Sequence, residues 1–246
     1  MILPEFILTS RQNQIWFESG MDSLDNCLDK KHFKSYPYPI EYRYNSRGYR
    51  DAEWPEDVSE LENAIWCFGD SFTVGIGSPL SHTWVNILQH KLNKRCINVS
   101  MDGASNEWML RKIKNLVEII APQTIIVQWS YFARRELPDN SMPDERRAVW
   151  YTLQSDIECD IENFKNCVLQ VMQLCKNCNI IHSIIPYAVS AARHYMLQNF
   201  IKENKIILVD QVDEFFNKDY ARDGHHYDVA TATKFVNELT TNFNLI

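Results

Sequence analysis

From residue 64 onward, short apolar runs alternate with longer amphipathic stretches, and this alternation limits the fold more than any other feature of the chain. The runs are AIWCF (64–68), CINVS (96–100), TIIVQW (124–129), IIHSII (180–185) and KIILVD (205–210). Each has strand length and is apolar almost throughout, the pattern of parallel strands covered on both faces. Between and after them the sequence predicts helices over about 83–94, 106–120, 157–177, 190–203 and 227–242. Leu110, Ile113, Leu116, Val117 and Ile120 recur at helical spacing, and Pro122 closes that pattern. Alternating strands and helices imply a three-layer α/β/α sandwich around a mainly parallel, flavodoxin-like sheet with right-handed crossovers. In such sheets the site lies at the carboxyl ends of the strands, so the residues just after each run are the ones to read for chemistry.

Residues 1–60 differ: they are rich in aromatics and turn formers, as in KSYPYPIEYRYNSRGYRDAEWPED, with little helical periodicity. We read them as an irregular N-terminal arm packed on a single α/β domain spanning 61–246. Within the arm, Pro37 and Pro39 hold the residues before them extended. The net charge of −7 argues against a general electrostatic grip on nucleic acid or on an anionic membrane. No run reaches the roughly 18 apolar residues of a membrane span, and the N-terminus lacks a basic region followed by an apolar core. The seven cysteines are an odd set, several inside apolar patterns where Cys behaves as a small buried hydrophobe. A reducing, cytoplasmic setting is therefore expected. Nothing in the sequence fixes an oligomeric state.

The first run leads into CFGDSFTVGIG (67–77), which could cradle a phosphate or present a serine. A Walker A loop requires lysine, and this loop has none. A dinucleotide fingerprint requires G-x-G-x-x-G, whereas Gly69, Gly75 and Gly77 are spaced otherwise, and Asp70 would repel a pyrophosphate. The serine alternative is better founded. Gly69 permits a tight turn at the strand end, and Ser71 then sits where the next helical turn offers N–H groups to a developing oxyanion. A GDS tripeptide is also an ordinary capped turn, so the serine needs a base, itself oriented by a third group. DGHHYD, after the last run, offers one: Asp223 and His226 are spaced so that the carboxylate can fold back onto the imidazole. Asp228 is placed to begin the final helix as a cap or first-turn acid. A surface turn with solvated histidines is the competing account of that segment.

GDSFTVG followed far downstream by D-x-x-H resembles the first and last sequence blocks of the SGNH (GDSL-type) hydrolases. INVSMDGASN resembles their second block, and YNSRGYRDAEWP resembles an N-S-x-G-x-R-D segment that precedes the GDS strand in many bacterial members. The resemblance spans roughly residues 43–240. It implies Ser71 as nucleophile, with Asp223 and His226 completing a triad and the N–H groups of Ser71 and Gly103 in the oxyanion hole. His225 lies at the wrong spacing for that role. It further implies a serine esterase that hydrolyses an acyl ester, an O-acetyl group on a small molecule or glycan being a reasonable substrate, without metal or organic cofactor. An O-acyltransferase using the same triad, or a non-catalytic glycan-binding or assembly protein on the same fold, are the alternatives.

The chain departs from the family at the third block, where G-x-N-D should supply the last oxyanion donor and VQWSYFARRE stands instead. Ser130 and Tyr131 fall nearest the missing Asn, and either hydroxyl could donate in its place. Arg134 and Arg135 could bind an anionic substrate group, though solvation or pairing with a neighbour such as Glu136 is the commoner fate of adjacent arginines. Cys175 and Cys178 form a C-x-x-C at a helix end without the further ligands a structural zinc would take, and read as plain thiols. His182, inside an apolar run, reads as a hydrogen-bonded core residue, and His82 as a surface residue near the serine loop. Trp108 and Trp129, at loop edges, could stack on a sugar face.

Overall fold

The computed structural model describes residues 6–18, 22–27, 36–137, 147–150, 156–185, 191–204, 208–209 and 220–242. In the arm, a two-residue strand β1 (Ile15–Trp16) pairs antiparallel with β2 (Tyr42–Arg43), with the single helical turn α1 (Leu24–Cys27) between them. The main domain continues through β3 (Ile65–Gly69), α2 (Ser71–Val74), α3 (Trp84–Leu92), β4 (Cys96–Ser100), α4 (Asn106–Val117) and β5 (Thr124–Trp129). A hairpin follows, β6 (Arg134–Glu136) against β7 (Ala148–Trp150). The described chain ends with α5 (Ile157–Leu174), β8 (Asn179–Ile184), α6 (Ala191–Glu203), β9 (Leu208–Val209) and α7 (Val229–Asn242).

The central sheet has the order β4-β3-β5-β8-β9, and every pairing in it is parallel. Counting only its own strands, this is the 2-1-3-4-5 order of doubly wound flavodoxin-like folds, whose switch point lies between the first and third strands. All residues of β3, β4 and β5 are buried, which is why these runs lack a polar alternation. α3 packs with α7, while α4 packs on α5 and α5 on α6, so helices cover the sheet in two layers. Observed and expected elements agree to within a few residues; of the run at 205–210, only Leu208–Val209 lie among the described residues. The β6–β7 hairpin was not foreseen.

The arm shares the main core. Phe6, Leu8, Tyr49 and Trp54 belong to one buried cluster with Trp66 and Phe68 of β3. Trp54 stacks on Tyr49 at 5.1 Å and meets Trp66 edge-on at 5.6 Å. Asp51 accepts from the Arg95 guanidinium at 2.7 Å, from Trp54 Nε1 at 2.8 Å and from the Asn98 N–H of β4 at 3.2 Å. Among the described residues, no helix is long and apolar enough to cross a membrane.

Candidate active site

β3 delivers the GDS segment to the carboxyl edge of the sheet. A side chain at Gly69 would overlap the Thr73 hydroxyl, so the turn closes only because residue 69 is glycine. Asp70 caps α2, its Oδ1 accepting from the Phe72 N–H at 3.0 Å. Ser71 is thereby fixed as the first residue of α2, nearly buried. The final loop reaches it from 155 positions away: His226 Nε2 lies 2.8 Å from Ser71 Oγ, and His226 Nδ1 lies 2.5 Å from Asp223 Oδ2. An ionised carboxylate can only accept, so Nδ1 carries the ring proton and Nε2 presents its lone pair to the serine hydroxyl. The three residues singled out in two distant loops thus form one hydrogen-bonded line.

The Asp223 carboxylate is held on its other oxygen by the N–H groups of His225 at 3.0 Å and His226 at 3.1 Å. Burial pushes this carboxyl up, but the hydrogen bond from the His226 ring, the attraction of that ring's imidazolium form and the two backbone bonds outweigh it and hold the group below the usual carboxylate range. Phe72, one residue after the serine, packs on the His226 ring at 4.6 Å and on Tyr227 at 5.1 Å, restricting how the imidazole can tilt. That role was not foreseen; an aromatic next to a candidate serine was the available signal. Asp228 accepts from the Thr231 N–H at 2.8 Å and so caps α7, as expected.

The other expected site residues fare differently. Gly103 follows β4 with a φ of +80°, and nothing lies within 4 Å of where a β-carbon would stand, so its backbone borders open space. Ser130 is fully buried and donates its hydroxyl proton to Asp70 Oδ2 at 2.6 Å. A hydroxyl has one proton, and this one is committed, which takes Ser130 out of the donor set in this structure. Tyr131 is half-buried, with its hydroxyl 3.1 Å from His225 Nε2; burial, reinforced by Asp70, pushes its ionisation up to about 12, so it stays a neutral phenol.

Arg134 and Arg135 are both paired with acids, though not with Glu136. Arg134 is buried and turned inward, donating to Asp70 Oδ2 at 3.2 Å, to Ser130 Oγ at 2.8 Å and to the Ala104 carbonyl at 3.2 Å. Its charge offsets that of Asp70 beneath the serine. Arg135 pairs with Asp160 at 2.5 Å rather than with Glu136, which binds Arg111 and Arg147. The hairpin β6–β7 sets this exchange by pointing successive side chains to opposite faces.

Trp108 and Trp129 are fully buried and offer no face to a sugar; Trp129 stacks on His182 and donates its Nε1–H to His182 Nδ1 at 3.1 Å. His182 is the core residue expected, its protonation pushed down to about 4 by burial. His82 is half-buried, 3.5 Å from the Tyr36 hydroxyl. Cys175 and Cys178 are free, and burial pushes their thiols up to about 11 and about 12.

No family model matches the sequence, and no curated protein matches it. Solved structures do resemble the fold. A family two carbohydrate esterase from Clostridium thermocellum, in complex with cellohexaose, superposes with a TM-score of 0.53 at 15% identity, over 75% of this chain and 66% of that one. A lipolytic-protein candidate of the G-D-S-L family from Desulfitobacterium hafniense gives 0.51 at 12% identity, over 75% and 99%. TesA gives 0.50 at 15% identity, over 75% and 100%. The chain therefore has the SGNH/GDSL hydrolase fold.

Proposed function

We infer that the protein is a serine esterase in which Ser71 attacks the acyl carbon of a carboxylic ester. One observation carries this reading: the hydrogen-bonded line from Asp223 through His226 to Ser71, with distances of 2.5 and 2.8 Å. As the Ser71 Oγ–carbon bond forms, the hydroxyl proton passes to His226 Nε2, and Asp223 stabilises the imidazolium. The carbon–oxygen bond to the alcohol then breaks, and His226 returns the proton to the departing alkoxide. Water attacks the acyl-enzyme by the same route and frees Ser71.

The transient oxyanion needs donors in place before the reaction. The Ser71 N–H at the first position of α2 and the Gly103 N–H beside open space supply two. With Ser130 committed to Asp70, the Tyr131 hydroxyl is the third, in the tautomer in which His225 Nε2–H donates to it and leaves its proton for the oxyanion. An acyl group on a carbohydrate hydroxyl is the substrate class we assign, supported by the carbohydrate esterases among the similar folds.

Incubation with a fluorophosphonate probe, read by intact mass, tests this reading. One adduct is expected on the wild type and none on Ser71→Ala or His226→Ala. A folded wild type that takes no adduct refutes the nucleophile assignment.

A further inference from the structure

The arm reaches the candidate site through a buried chain of polar contacts that the reaction scheme does not use. Tyr42 of β2 is fully buried; its hydroxyl donates to Asp22 Oδ2 at 2.7 Å and accepts from the Gly77 N–H at 2.7 Å. Asp22, also fully buried, accepts from Arg222 Nη2 on the same oxygen at 2.9 Å. Arg222 directly precedes Asp223, and its own N–H donates to the Gly77 carbonyl at 3.0 Å. Gly77 therefore receives the arm on its N–H and the acid loop on its carbonyl.

The approach at Gly77 is tight. Its φ is +76°, and a β-carbon there would stand 2.9 Å from Ala221 Cβ and 3.1 Å from Asp223 Oδ1. Arg50 closes the same junction, its guanidinium 4.2 Å from the Tyr42 ring and donating to the Val74, Gly75 and Ser78 carbonyls at 3.1, 2.7 and 2.8 Å. The first two of these carbonyls end the turn that begins at Ser71. Ser78 Oγ in turn donates to the Tyr227 carbonyl at 2.9 Å, one residue after His226. The serine loop and the acid–base loop thus meet at residues 77–78, and arm residues fix that junction from outside.

We propose that Asp22 and Tyr42 are positioning residues of the active site: the arm sets the distance between the loop carrying Ser71 and the loop carrying Asp223 and His226. The role rests on Ser71 being the nucleophile proposed above. Neither residue touches the reacting atoms. Each acts through Arg222, which precedes Asp223, and Gly77, which follows Ile76, whose N–H donates to the Ser71 carbonyl at 3.2 Å; Asp223, His226 and Ser71 must hold hydrogen-bond geometry for proton transfer. Arg222 and Asp22 form a desolvated pair, and loss of the Asp22 charge removes the ion pair that holds Arg222, the residue directly before Asp223. The Tyr42 hydroxyl removes one more unsatisfied amide at the tightest point of the loop.

Tyr42→Phe and Asp22→Asn test the role through the time course of fluorophosphonate labelling. The final amplitude counts competent molecules, and the rate constant reports how reactive each of them is. Positioning predicts near-complete amplitude in Tyr42→Phe with a rate constant reduced about 10-fold or more, because small displacements of reacting groups carry large rate penalties. With an ester substrate, the loss should fall on kcat rather than KM. A purely structural role predicts the reverse, a smaller amplitude with the wild-type rate constant, and that result overturns the proposal. Should Asp22→Asn fail to fold, Tyr42→Phe decides alone, since it deletes only one oxygen. A wild type that takes no probe defeats the nucleophile reading first, and the positioning role with it.

Discussion

Replacing Arg134 with Met should destabilise the protein severely, although neither the residue nor its pair with Asp70 lies on the reaction path. Asp70 has no solvent exposure and Arg134 only 6%, so the substitution strands a carboxylate in the interior. Removing one partner of a buried pair costs about 3–5 kcal/mol. Asp70 keeps its bonds from Ser130 Oγ and the Phe72 N–H, which places the expected loss near the lower end, about 3 kcal/mol. At roughly 2–4 °C per kcal/mol for a chain of this size, Tm should fall by about 6–12 °C. The assay is a double-mutant cycle by urea denaturation with Asp70→Asn, which retains a capping acceptor for α2 while removing the charge. The double variant should be more stable than the sum of the single losses implies, with a coupling energy of about 2 kcal/mol. A loss under about 1 kcal/mol for Arg134→Met, or strict additivity, would refute the argument that Arg134 exists to neutralise Asp70.

Two further outcomes follow from the same geometry. Ser130→Ala should lower Tm while slowing turnover of an activated ester by less than about 10-fold, whereas Tyr131→Phe should slow it by about 10²-fold with little change in Tm; the opposite ranking would return Ser130 to the oxyanion hole. His182 should make the fold acid-sensitive: an unfolded chain takes a proton there near pH 6.5 and the folded one only near about 4, so its stabilising contribution, full above 6.5, is lost as pH falls through that window. The loss approaches about 3 kcal/mol at its acid end, and His182→Gln, which still accepts from Trp129, should flatten the Tm profile between pH 6.5 and 4; an unchanged profile would show that His182 is not its source.

The sheet was legible because its strands are buried on both sides, so residues such as Ile125, Ile126 and Val127 carry no competing pattern. That Ser71, Asp223 and His226 meet was legible because the nucleophile reading proposed for them needs fixed residue types at strand ends. Trp108 and Trp129 misled because their places in the sequence border loops, while the positions of α4 and β5 turn both rings into the core. The inward turn of Arg134 depends on a hairpin whose two strands lie more than ten residues apart, and it competes with an equally plausible pairing to Glu136. The Asp22–Arg222 pair spans 200 positions, a separation at which no local pattern announces a partner.

Separation in sequence also governs when the serine proposed as nucleophile would become activated. Ser71 and His226 lie 155 positions apart, and the strand leading to Ser71 sits inside the sheet, between β4 and β5. Contacts this distant in sequence repay the entropy of closing the chain only once both ends are in place, so we expect them after the local pairings. A chain that has formed β3, β4 and β5 but not yet docked its last loop therefore holds a serine of ordinary reactivity. Activation would coincide with the final closure of the native topology, so during refolding the onset of labelling should trail the recovery of helical signal and mark the moment at which the two distant ends of the fold first meet.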